Sequence, residues 1–154
     1  MLIIITGVSG SGKSEYAEQV CCRLAKDNKK YYVATMQPFG EEGRLRIEKH
    51  KRQREGKGFE TIEQYQNIGS ALDCCDKEER PVVLVECMSN LLANECFGEA
   101  GKPDDIFDGC MKLYSGCRHL VIVTNEVFSD RCEYDAGTTD YIRRLGELNV
   151  RLSR

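Results

Sequence analysis

The segment GVSGSGKS, residues 7–14, fits the pattern G-x-x-x-x-G-K-[ST] over its full length. The apolar run LIIIT at residues 2–6 precedes it, and apolar residues at helical spacing follow it. Glycines let the backbone N–H groups of such a loop turn towards an anion, and the positive end of the helix dipole adds to them. The segment therefore predicts a strand, a phosphate-binding loop and a helix, which restricts the chain to α/β architectures.

Apolar runs rich in β-branched residues have the composition of strands that are buried on both faces. Such runs lie at residues 2–6, 31–35, 82–86 and 120–125. Amphipathic helical patterns lie between them, at residues 13–27, 62–75 and 88–97. Strands that alternate with helices indicate crossover connections. We therefore predict an α/β fold of the P-loop NTPase type, with a mostly parallel sheet, helices on both faces and one domain spanning residues 1–154.

Composition argues against several classes of protein. The net charge of −3 gives no general attraction to nucleic acid or to an anionic membrane. The run at residues 2–6 is too short to span a membrane, and no cleavage-site pattern follows it, so we expect neither a membrane span nor a signal peptide. The nine cysteines include no C-x-x-C pair, which favours buried thiols in a reducing, cytoplasmic setting over disulfides or a zinc site.

The loop is expected to bind nucleotide phosphates. Its residues are Gly7, Val8, Ser9, Gly10, Ser11, Gly12, Lys13 and Ser14. In this motif the lysine reaches the outer phosphates and the final hydroxyl binds Mg²⁺, which assigns these roles to Lys13 and Ser14. The motif alone leaves an ATPase, a GTPase switch and a small-molecule kinase open. The short chain lacks the N-K-x-D signature of GTPases, since Glu126 follows Asn125, and this favours a small kinase or a nucleotidyltransferase.

Polar side chains stand where the apolar runs end, and in open α/β sheets this edge faces the ligand. Thr35 ends the second run, Glu86 ends the third, and Asn125 and Glu126 end the fourth. A carboxylate directly after VVLV must be exposed or paired, which makes Glu86 a candidate to hold Mg²⁺ through water or to bind the sugar or base. The alternative is that these residues cap the helices that follow.

The segment RLRIEKHKRQREGKG, residues 44–58, places His50 among four Arg, three Lys and two Glu. It is too polar to bury much surface, so we expect a helix that lies over an opening. Helical spacing puts Arg46, His50 and Arg54 on one face. Neighbouring cations favour the neutral imidazole, which can attack a phosphorus atom and form a covalent intermediate. From these residues alone, a solvated helix face without function stays open.

The order of these motifs resembles that of the bifunctional adenosylcobinamide kinase/adenosylcobinamide-phosphate guanylyltransferase family of cobalamin biosynthesis. The similar segments are TGVSGSGKS, YVATMQ (32–37), EEGRLRIEKHKRQR (41–54), FETIE (59–63), VLVEC (83–87), VTNEV (123–127) and YIRRLGELNVRLS (141–153). Two differences stand out. FSDRCEYD at residues 128–135 replaces a glycine-rich segment and is interpreted as a substituted loop. The chain also stops at Arg154, before the family's final strand, so either the sequence is clipped or an edge strand is missing.

The resemblance implies that ATP or GTP phosphorylates adenosylcobinamide, and that GMP then passes from GTP through a guanylylated histidine to give adenosylcobinamide-GDP. It implies catalytic roles for His50 and Lys13, and a homotrimer. Besides residues 7–14, it implies that GTP contacts Ala34, Thr35, Met36, Lys51, Arg52, Gln53, Arg54, Glu63 and Glu86. Two alternatives stay open: a P-loop kinase of another hydroxylated metabolite in which His50 has no role, and a regulatory protein that binds GTP without turnover.

Overall fold

The computed structural model describes residues 1–76, 80–127 and 134–154. Its strands are β1 (Leu2–Gly7), β2 (Lys30–Ala34), β3 (Phe59–Glu63), β4 (Val82–Glu86) and β5 (His119–Asn125). Its helices are α1 (Lys13–Ala25), α2 (Gly40–Arg54), α3 (Met88–Phe97), α4 (Ile106–Gly116) and α5 (Ala136–Leu152). The two remaining helical segments are short 3₁₀ turns at Ile68–Ser70 and Pro103–Asp105.

The five strands form one sheet in the order β1-β5-β4-β2-β3, and every pairing in it is parallel. β4 lies at the centre of the sheet between β5 and β2, and both β4 and β5 contain four consecutive apolar residues that are buried. All five residues of β4 are buried. The predicted α/β fold with a parallel sheet is therefore confirmed.

Alternating residues of β4 divide the interior into two cores. Val83 and Val85 belong to a core with residues of α3, α4 and α5, whereas Val82 and Leu84 belong to a core with α1. Because successive side chains of a strand point to opposite faces, these cores lie on the two sides of the sheet. Helices therefore cover both faces, as the sequence predicted.

The four apolar runs are strands, but the helix predicted over residues 62–75 is wrong. Residues 59–63 form β3 instead, and a single 3₁₀ turn follows at Ile68–Ser70. Asn67 takes a left-handed conformation with φ of 49°, which ends any regular helix at that point. The backbone of Gly69 lies against α4, where an added Cβ would come within 3.1 Å of the Gly109 Cα atom. Tertiary contact with α4 thus decides the conformation of this segment.

Several smaller predictions concern cysteines, metals and membranes. The eight cysteines that the structure describes are free thiols, and burial raises the pKa of both Cys21 and Cys110 to about 12. Among the described residues no group of three or more His, Cys, Asp or Glu side chains is arranged to hold a metal ion. In the same ranges no helix is both long and apolar enough to cross a membrane. Most of the substituted loop, residues 128–133, lies outside the described residues, and Cys132 lies with it.

Candidate active site

The phosphate-loop motif follows β1 and leads directly into α1, as the sequence predicted. Gly10 and Gly12 have φ values of 77° and 81°, a left-handed conformation that side chains disfavour. Gly12 is the N-cap of α1 and no side chain caps it, so the first N–H groups of the helix are available to an anion. The Lys13 Nζ atom donates to the Val8 carbonyl oxygen at 3.1 Å and so lies across the loop.

A cavity of about 540 Å³ opens where β2, β3, β4 and β5 end. The phosphate loop, the ends of these strands and α2 all line it. The predicted site residues that line it are residues 9–14, Ala34, Met36, His50, Lys51, Gln53, Arg54, Glu63 and Glu86. Asn125, considered from its position after a strand, lines it too. A volume of this size suits a ligand as large as a nucleotide.

Glu86 ends β4 beneath the phosphate loop. The Ser14 hydroxyl donates to its Oε1 atom at 2.7 Å, while its buried Oε2 atom has no hydrogen-bond partner. Burial raises the pKa of Glu86 to about 7, against smaller opposing effects of the Ser14 hydrogen bond and the Lys13 charge. Hydroxyl and carboxylate oxygens are the ligands that Mg²⁺ prefers, so Ser14 and Glu86 together fit a divalent cation. The unpartnered Oε2 atom is the observation that supports this fit.

His50 lies on the face of α2 that borders the cavity. Its Nδ1 atom is buried and has no hydrogen-bond partner. Burial lowers the pKa of the imidazole below 6.5, and the positive charges of Arg54, Lys49, Arg46 and Lys13 lower it further. The ring is therefore neutral at pH 7, in agreement with the sequence-based expectation, although burial contributes more than the neighbouring cations do.

A cluster of charged side chains lies under the C-terminal end of α2. The Arg54 guanidinium stacks on the Tyr32 ring, with 3.4 Å between its Cζ atom and the ring centroid. Just beyond the helix, Lys57 forms a 2.6 Å ion pair with Glu18 of α1, which is fully buried. Burial raises the pKa of Glu18, and the bond to Lys57 opposes this rise. These contacts hold the end of α2 against β2 and α1.

Four residues predicted to bind nucleotide lie outside the cavity lining: Gly7, Val8, Thr35 and Arg52. Thr35 is fully buried, and its hydroxyl donates to the carbonyl oxygens of Glu86 and Cys87 at 3.0 and 2.8 Å. Its hydroxyl therefore joins the ends of β2 and β4, and Thr35 does not line the cavity. A Cβ atom on Gly7 would lie 2.8 Å from the Ser11 hydroxyl, so this glycine allows the loop to close on itself.

The sequence did not indicate that four other residues line the cavity: Tyr32, Thr61, Tyr65 and Asn90. The alternation of a strand places Tyr32 on the same face as Ala34, so the position of Ala34 at the site could have indicated it. The Tyr65 hydroxyl donates to the Glu63 carboxylate at 3.0 Å. Tyr65 lies in a loop whose shape no local pattern predicts.

The phosphate loop, the parallel sheet and the cavity at the strand ends define a P-loop nucleotide-binding protein. The solved structure titled "ATPase Domain of G40P" has the same fold: the TM-score is 0.55 at 10% sequence identity, and the match covers 97% of this chain and 66% of that chain.

The family model for cobinamide kinase / cobinamide phosphate guanyltransferase matches residues 3–154, and the chain belongs to this family. It is 31% identical over 142 residues to the bifunctional adenosylcobalamin biosynthesis protein CobU of Escherichia coli (strain K12). It is 28% identical over 142 residues to the protein of the same name from Salmonella typhimurium (strain LT2). Each match covers 82% of this chain and 76% of the relative.

Proposed function

We propose that this protein phosphorylates the hydroxyl group of adenosylcobinamide and then transfers GMP from GTP to the resulting phosphate, with His50 as the covalent carrier. Family membership supports the two reactions. One observation carries the role of His50: a half-buried, neutral imidazole, whose buried Nδ1 atom has no hydrogen-bond partner, borders the same cavity as the phosphate loop.

In the kinase step, the loop N–H groups and Lys13 bind the phosphates of ATP or GTP. The substrate hydroxyl oxygen forms a bond to the γ-phosphorus, the bond from that phosphorus to the β,γ-bridging oxygen breaks, ADP or GDP leaves, and the hydroxyl proton is lost. Phosphoryl transfer depends mainly on positioning and on neutralising charge, which a loop and a lysine provide. Ser14 and Glu86 would hold Mg²⁺, which supplies further positive charge beside the phosphates.

In the guanylyl-transfer step, His50 attacks the α-phosphorus of GTP. A nitrogen–phosphorus bond forms, the bond to the bridging oxygen breaks, and pyrophosphate leaves. A phosphate oxygen of the phosphorylated corrinoid then attacks the same phosphorus, the nitrogen–phosphorus bond breaks, and the neutral imidazole is regenerated. Arg46, Lys49 and Lys51 of α2 line the cavity, where they can stabilise the negative charge of the leaving pyrophosphate.

The nucleotide contacts, the assembly and the location are proposed on the resemblance to the family. We place GTP against the phosphate loop, α2 and Glu63, whose carboxylate lines the cavity near the end of β3. We propose that ATP and GTP both serve as phosphoryl donors, that three copies of the chain associate, and that the protein acts in the cytoplasm.

Incubation with GTP radiolabelled at the α-phosphorus tests the covalent step. With Mg²⁺ and without corrinoid, we expect label on the denatured protein that is lost in acid, survives alkali and is absent when EDTA replaces Mg²⁺. His50→Asn should abolish the label. His119→Asn is the matched control, because this second histidine opens β5 and does not line the cavity.

Two results would contradict the proposal. The first is a folded wild-type protein that binds GTP and takes up no label. The second is a His50→Asn variant that is labelled as well as the wild type. If the unlabelled wild-type protein still phosphorylates cobinamide, the protein is a kinase in which His50 has no covalent role.

A further inference from the structure

The helix that carries His50 is attached to the protein in an unusual way. Along the whole of α2, the only buried residue is Arg54, at its last position. Most helices of a globular protein are held by an apolar stripe, and α2 has none. Within α2 itself, the position of His50 therefore depends on the contacts that a single buried charged side chain makes one turn away.

Arg54 is oriented by three contacts on different elements. Its Nη1 atom donates to the His50 carbonyl oxygen at 3.0 Å, and its Nη2 atom donates to the Thr61 hydroxyl of β3 at 3.4 Å. Its guanidinium plane stacks on Tyr32 of β2, and Tyr32 is itself fixed by an edge-on contact with Phe59. Only a planar fork with several N–H groups makes all these contacts at once, and lysine cannot replace it.

The two buried carboxylates of Glu18 and Glu86 also favour a cation at the position of Arg54. Arg54 lowers the pKa of both Glu18 and Glu86, although burial raises each of them more strongly. The Glu18 Oε1 atom has no hydrogen-bond partner, and its Oε2 atom is held by Lys57. Arg54 thus lies close enough to both buried carboxylates to interact with them electrostatically. The hydrogen bonds of its guanidinium group go instead to Thr61 and to the His50 carbonyl oxygen.

We propose that Arg54 is a positioning residue for guanylyl transfer: it fixes the backbone of His50 against β2 and β3, so that the imidazole meets the α-phosphorus. The inference rests on the proposed function and deepens it. It also reassigns Arg54 from the role of nucleotide ligand, which the resemblance implied, to that of an anchor.

The test compares Arg54→Lys and Arg54→Met with the wild type and with Arg44→Gln. Arg44 is an exposed cation on the same helix that does not line the cavity, so its replacement controls for lost charge. The rate of protein labelling is measured over a range of GTP concentrations, and phosphorylation of cobinamide is measured in parallel. Far-UV circular dichroism checks that each variant is folded.

A misplaced nucleophile lowers the rate of chemistry more than the affinity for substrate. We expect both Arg54 variants to lower the kcat of labelling by roughly 10- to 100-fold, and to change the KM for GTP by less than about threefold. Labelling should fall more than phosphorylation does. If Arg54→Met does not fold, Thr61→Val removes one acceptor and keeps the charge, and should lower the kcat of labelling by roughly threefold or more.

Three results would overturn the role of Arg54 while leaving the proposed function intact. One is a large rise in KM that Arg54→Lys reverses, which would identify Arg54 as a phosphate ligand. Another is normal labelling in both Arg54→Lys and Thr61→Val. The third is an equal loss of labelling and phosphorylation, which would indicate general damage to the site. An unlabelled wild type would instead overturn the proposed function, and the anchoring role with it.

Discussion

Glu86 allows a quantitative test of the electrostatics of the site. Its side chain is 9% exposed, and burial raises its pKa from 4.5 to about 7. Since one pKa unit corresponds to about 1.4 kcal/mol, the ionised carboxylate lowers the free energy of unfolding by about 3 kcal/mol. Glu86→Gln removes the charge and keeps an oxygen that accepts from Ser14. We therefore expect the variant to be more stable than the wild type at pH 8.

The pH dependence of this gain follows from the direction of the shift. Below pH 4.5 the carboxyl is protonated in both the folded and the unfolded chain. As the pH rises from there to about 7, the unfolded chain ionises first, and the wild type loses stability; above about 7 the loss is complete. The advantage of Glu86→Gln should thus grow from about 1 kcal/mol at pH 5 to about 3 kcal/mol at pH 8.

Urea unfolding in EDTA, followed by circular dichroism at pH 5 and pH 8, measures this difference. Glu60→Gln is the matched control, because Glu60 is an exposed carboxylate on β3 and its replacement should alter stability by less than about 0.5 kcal/mol at either pH. Equal stability of Glu86→Gln and the wild type at pH 8 would refute the argument. A gain of the same size at both pH values would refute it too, since the cause would then not be ionisation.

Further predictions concern the loop, the metal and a buried carboxylate. Lys13→Ala should lower phosphoryl transfer by roughly a hundredfold or more; full activity in a kinase assay would refute the loop assignment. Gly12→Ala should cost roughly 1 to 2 kcal/mol in urea unfolding, because φ is 81° there. Added Mg²⁺ should raise the melting temperature of the wild type more than that of Glu86→Gln. Glu95 accepts from the backbone N–H groups of Asn67 and Lys102 at 2.7 Å each, so Glu95→Gln should lose about 2 kcal/mol of stability; an unchanged urea midpoint would contradict this.

The sequence predicted the parts of the fold that local chemistry determines. Continuous apolar runs mark β4 and β5, since both are buried on two faces. β3 was missed because it is an edge strand that exposes Glu60 and Thr61, so its composition does not mark it as a strand. The false helix over residues 62–75 had apolar residues at helical spacing, but the close approach of Gly69 to α4 depends on residues far away in the chain.

The site residues also divide into those that local sequence predicts and those that depend on tertiary contacts. Gly12 and Lys13 follow from a motif whose geometry is local, and the segment around His50 was expected to lie over an opening. Thr35 was expected to face the ligand because it ends a strand, but its hydroxyl joins β2 to β4. No local pattern indicated that Arg54 stacks on Tyr32, because that contact forms only when α2 is placed against the sheet.

The strand order has a consequence for synthesis of the chain on the ribosome. Among the described strands, β1 pairs only with β5, and the register sets Leu2 against Leu120. During synthesis β1 therefore has no strand partner until residues 119–125 have been made, and its isoleucines stay accessible to other apolar surfaces until then. Pairing between segments so far apart in the chain slows folding and leaves time for aggregation, so β1 is where a nascent chain of this topology most needs a chaperone.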